Sequence, residues 1–118
     1  MDIMTEIDHK KSGNNLQRYI SYEMASQYAS VEFSVGNLAY LYQFKLLESS
    51  ICGMEVLVKE GSDIIKYLNV GDMLDMRYYP INQNSEIKSF RTEITHIAKN
   101  HNGRFRGHYV VGLSIVDE

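Results

Sequence analysis

The sequence predicts a mainly β protein, a single-domain six-stranded antiparallel barrel preceded by an N-terminal helix. Three observations predict it. From Val31 to the C-terminus, apolar residues alternate with polar ones in short runs, the period of strands with one buried face. Signals rich in Gly, Asn and Asp separate those runs. Upstream of Val31 the apolar spacing is three and four instead, the period of a helix.

Residues 1–14 are polar, mixed in charge and end in Ser12-Gly13-Asn14, so they read as a leader, and residues 15–118 read as the domain. Asn14 or Asn15 is placed to cap a helix over about 15–28. Its apolar face carries Leu16, Tyr19, Ile20, Met24 and Tyr28. Such a face packs on the domain's own core or on a protein partner, and a second copy of the chain is one candidate. Val31, Phe33 and Val35 begin the barrel, which runs over about 31–116, and Gly36-Asn37 supplies a tight turn.

Leu38, Tyr40, Tyr42, Phe44 and Leu46 continue as the second strand, rich in the aromatic residues that strands favour. Met54, Val56 and Val58 follow Gly53 as the third. The stretch 59–63 is a loop, and Val70-Gly71-Asp72 turns into a fourth strand with Leu74, Met76 and Tyr78. Pro80 closes that strand. Ile87 or Phe90 to Ile97 is the fifth, Asn100-His101-Asn102-Gly103 a hairpin turn, and Tyr109 to Val116 the sixth. Closure into a barrel removes the edges that such apolar strands would otherwise expose.

Composition narrows the function classes. With 118 residues there is room for one core, and the net charge of −3 argues against a general DNA or RNA binder. Cys52 stands alone, so no intrachain disulfide forms, which fits the cytoplasm. It reads as a small buried apolar residue. No run approaches the ~18 apolar residues that span a bilayer, so no membrane insertion is expected.

Three segments carry a family resemblance. Glu48, Ser50 and Gly53 precede the apolar strand from Met54 to Val58, Val70-Gly71-Asp72 leads into another, and Tyr109-Val110-Val111-Gly112-Leu113 opens the last. In this order they resemble the PilZ domain, a bacterial β-barrel whose usual ligand is cyclic di-GMP. The resemblance covers roughly residues 20–116 and implies a role in motility, surface attachment or envelope regulation. It also implies a nucleotide site built from Glu48, Ser50 and Gly53 with arginines from the preceding segment.

The family's Arg-x-x-x-Arg motif, whose guanidinium forks hold phosphates and guanine edges, would fall near residues 19–25. That stretch reads Tyr-Ile-Ser-Tyr-Glu-Met-Ala, and Arg18 is the nearest arginine. The expectation is therefore a non-enzymatic regulatory or adaptor module with weak or absent cyclic di-GMP binding. Its contact surfaces would be the face of Leu16, Tyr19, Ile20 and Met24 and the tyrosines Tyr40 and Tyr42. The rival expectation is a divergent receptor using Arg18, with Lys10 and Lys11 from the leader beside Glu48, Ser50 and Gly53. A third is an unrelated six-stranded barrel serving as a structural subunit.

Other constellations read structurally. Arg104-Phe105-Arg106-Gly107-His108 suits a solvated hairpin turn as well as an anion contact with a stacking ring. His96, His101 and His108 are spaced by five and seven, unlike zinc ligands. Asp72 belongs to its turn, and nothing resembles a nucleophile elbow or a phosphate-binding loop.

Overall fold

The alternating runs form seven strands in the computed structural model, which describes residues 27–36, 40–49, 53–100, 103 and 106–116. They are β1 (Tyr28–Phe33), β2 (Tyr42–Lys45), β3 (Leu47–Ser49), β4 (Gly53–Lys59), β5 (Met73–Pro80), β6 (Lys88–Lys99) and β7 (His108–Ile115). A 3-10 turn, Asp63–Tyr67, lies between β4 and β5. All pairs are antiparallel, and the sheet order is β2-β1-β5-β6-β7-β4-β3.

This order puts β2 and β3 on opposite edges of the sheet, yet only Leu46 separates them in the chain. Consecutive Cα atoms are about 3.8 Å apart, so the two edges must meet at Leu46 and the sheet curls into a nearly closed barrel. Leu46 is buried at that corner, and its N–H donates to the Ala29 carbonyl at 2.9 Å. The expected second strand is thus two. A run of residues that reads as continuous changes partner at Leu46, from β1 to β4, which makes seven strands rather than six.

Inward positions fill the barrel. Val31 and Phe33 from β1, Met54, Val56 and Val58 from β4, Met76 and Tyr78 from β5, Ile94 from β6, and Val111, Leu113 and Ile115 from β7 form one cluster. Ile64 and Leu68 from the β4–β5 connection plug it. The phenyl and phenol rings of Tyr28, Tyr78 and Phe90 meet edge to face, 5.4–6.3 Å between centroids.

The expected helix over 15–28 lies outside the described residues except at its end, where Gln27 is helical and the expectation is corrected at Tyr28 alone. Tyr28 is the first residue of β1, paired with Pro80, because its ring is needed in this aromatic group. Leu16, Tyr19, Ile20 and Met24 lie outside the described residues, as does the leader. The second strand starts at Tyr42 rather than Leu38, and Tyr40 and Leu41 precede it as exposed residues. The turn at Val70-Gly71-Asp72 forms as expected. Gly71 takes φ +97°, and the Asp72 carboxylate accepts the Asn69 N–H at 3.0 Å.

Candidate functional site

Antiparallel pairing gathers particular segments at each end of the barrel. One end collects the chain's entry at Gln27, the β3–β4 turn, the β5–β6 loop over 81–87 and the exit from β7 at Val116. The other collects the β1–β2 connection, the β4–β5 connection with its 3-10 turn, and the β6–β7 hairpin.

Of the residues expected to hold a nucleotide, Glu48 and Gly53 sit together at the first end. Glu48 is exposed on β3 opposite Met54, and Gly53 opens β4 opposite Ser49. Gly53 has φ +90°, a conformation that costs other residues more, so the hairpin accounts for this glycine without a ligand. Arg18 and Ser50 lie outside the described residues, as do Lys10, Lys11 and Cys52.

The same end holds a cavity of about 620 Å³, a volume within the ordinary ligand range. Its walls are Gln27 and Tyr28 at the chain entry and Pro80, Ile81, Asn82 and Asn84 from the end of β5 and its loop. Ser85, Glu86 and Lys88 also line it, while Glu48 and Gly53 do not. The sequence reading missed this cavity. The available signal was the loop itself, five polar residues bracketed by Ile81 and Ile87, which are 59% and 47% exposed.

Among the described residues, positive charge is sparse at this end. Arg77 lies on the outer wall, 3.6 Å from the Glu32 carboxylate and 5.8 Å from the Tyr79 ring centre. The Tyr79 hydroxyl donates to the same Glu32 at 2.9 Å. Arg91 donates to Asp75 at 3.2 Å, also on the wall. Arg106 is exposed in the hairpin at the opposite end, and among the described residues Lys88 is the cation of the cavity lining.

The other expected features separate. Tyr40 is 69% and Leu41 63% exposed at the far end, whereas Tyr42 stacks on Phe44 at 6.4 Å and packs against the core. Arg104, Phe105 and His101 lie outside the described residues. The hairpin around them is closed by Gly107 N–H to the Asn100 carbonyl at 3.4 Å. His96 lies 3.8 Å from the Glu55 carboxylate, and His108 Nδ1 lies 3.4 Å from the Arg106 carbonyl. Among the described residues no helix is long and apolar enough to cross a membrane. No protein-family model, no curated protein and no solved structure matches the chain.

Proposed function

We propose that this protein is a non-enzymatic bacterial regulatory or adaptor module with a PilZ-like barrel, working through protein contacts in the cytoplasm. Cyclic di-GMP binding is weak or absent in this reading. The observation that carries it is the placement of arginine. Among the described residues, Arg77 and Arg91 are committed to carboxylates on the outer wall, and Arg106 stands at the wrong end. A dianionic dinucleotide relies on charge-assisted hydrogen bonds of about 1.5–3 kcal/mol each, so every missing arginine lowers affinity by about tenfold or more. Exposed Tyr40 and Leu41, and the apolar spacing of Leu16, Tyr19, Ile20 and Met24, support protein contacts instead.

A second reading is favoured by the cavity at the same end, which offers side-chain amides and Lys88. There the protein is a divergent cyclic di-GMP receptor that uses Arg18, with Lys10 and Lys11 from the leader, together with Glu48, Ser50 and Gly53. Titration calorimetry with cyclic di-GMP, with GTP and cyclic AMP as controls, separates the two. The first reading expects no heat up to millimolar ligand. Micromolar binding specific to the dinucleotide, lost on Arg18→Ala, would replace it with the second.

A further inference from the structure

We propose that an extended segment of a partner protein, alternating acidic and aliphatic residues, adds as a strand in the seam between β2 and β4, beside Lys45 and Lys59. The proposal deepens the protein-contact reading above and rests on it for its use.

The seam follows from the ladders. β2 and β3 form one run joined at Leu46. Its second half pairs with β4, from Leu47 opposite Glu55 to Ser49 opposite Gly53, whereas its first half pairs with β1 alone. No ladder joins β2 to β4, although closure makes them neighbours, so the two strands part at Leu46. Hydrogen-bonding direction alternates along an antiparallel strand. The Leu46 N–H donates to Ala29, so Phe44 and Tyr42 also turn their backbone groups to β1. Gln43 and Lys45 therefore turn theirs into the seam. On β4 the pairing of Glu55 with Leu47 sets the same alternation, and Leu57 and Lys59 face the seam from its other side. The Lys59 carbonyl accepts the Ser62 N–H at 2.9 Å. The other backbone groups of these four residues have no ladder partner across the seam, which is the template that an added strand uses.

Side chains specify the kind of strand. Tyr42 and Phe44 point inward, with Phe44 5.6 Å from Phe33 between ring centres. Both are only half-buried, while the inward Val31, Val56 and Val58 are fully buried. The core is least covered along the seam, and an aliphatic residue pointing inward there would cover it. Lys45 and Lys59 stand exposed on the outer face, and among the described residues neither is paired with a carboxylate. A strand that alternates aliphatic and acidic residues answers both faces. A second copy is a poorer occupant, because joining two such seams brings four lysines together.

Amide hydrogen exchange on the full chain, with the acetylated peptide Val-Glu-Val-Glu-Val-Glu-Val as probe, tests this. Without peptide, the Gln43, Lys45 and Leu57 amides should exchange near free-chain rates. At a peptide concentration about ten times its Kd they should slow by about tenfold. Lys45→Glu/Lys59→Glu should weaken this peptide by about tenfold or more and bind the counterpart with lysine in place of glutamate. Both side chains are exposed, and a protected Val111 amide reports that the barrel of the variant is intact. N-methylation of the peptide's glutamates removes the donors to one edge and should abolish the slowing. No slowing by the peptide overturns the proposal, as does slowing that survives N-methylation or the charge reversal. Protection already present without peptide overturns it too, giving the seam to a second copy if dilution releases it and to this chain if not. No slowing by peptide together with no heat from cyclic di-GMP removes this site and leaves the adaptor reading standing.

Discussion

Thr92 is fully buried although polar, and the barrel tolerates its hydroxyl because it bonds in two directions. It donates to the Phe90 carbonyl at 3.2 Å, which leaves it to accept from the Tyr78 phenol at 2.7 Å. The two partners should therefore differ in what their loss costs. Tyr78→Phe removes one hydrogen bond and leaves Thr92 its donor bond, a loss of about 1 kcal/mol. Thr92→Val strands the phenol in the core and should cost more, about 1–3 kcal/mol, with the double variant less damaged than the sum. Urea unfolding of the four proteins measures this cycle. Burial also pushes the Tyr78 phenol well above the ordinary value of about 10, with the Thr92 bond opposing the shift. Tyr79 is raised too, by its bond to Glu32. A folded pKa above the unfolded one gives stability that is intact below about pH 10 and falls as pH rises past it, since the unfolded chain loses the proton first. The same urea series repeated at alkaline pH should show a shallower fall for Tyr78→Phe.

At the scale of elements, β6 and β7 meet with a bulge at Thr95, between Ile94 and His96. The bulge lays the His96 ring over Gly112 on β7 and brings it to 3.8 Å from Glu55 on β4. A Cβ at position 112 would overlap that ring and the Thr95 hydroxyl. Gly112→Ala should thus destabilise by about 1–3 kcal/mol, and His96→Ala should recover part of it, as thermal melts of the single and double variants would show. Full recovery is not expected, because Thr95 remains. Here the limits of sequence reading are physical. The period of two was enough to locate β4, β5, β6 and β7, because their inward residues belong to one core. Gly112 was legible only as a motif match, since nothing local tells which neighbour will need the space. The break at Leu46 was only half legible. Alternation runs from Tyr42 to Leu46 and slips at the Leu46-Leu47 pair, while the change of partner is a property of the closed sheet. Glu48 and Gly53 were found together on their hairpin because a turn is local. The cavity was not found, because its walls come from segments more than fifty residues apart.

For the whole molecule, the two ends of the barrel differ in what they offer. The far end exposes Tyr40 and Leu41, with Tyr67 and Val70 on the neighbouring connection, all free of any role in the buried cluster. The near end holds the cavity, the Glu48 hairpin and the entry of residues 1–26. The described buried apolar residues, Tyr28 to Ile115, come from the barrel's own strands and connections. A chain beginning at residue 25 should keep its β-sheet circular dichroism and a cooperative urea transition. The urea midpoint then reports whether residues 1–24 add to the stability of the barrel. A collapse of the transition would mean that residues 1–24 complete the core. An unchanged midpoint would mean that they do not rest on the barrel, and the face of Leu16, Tyr19, Ile20 and Met24 would then be open to a partner.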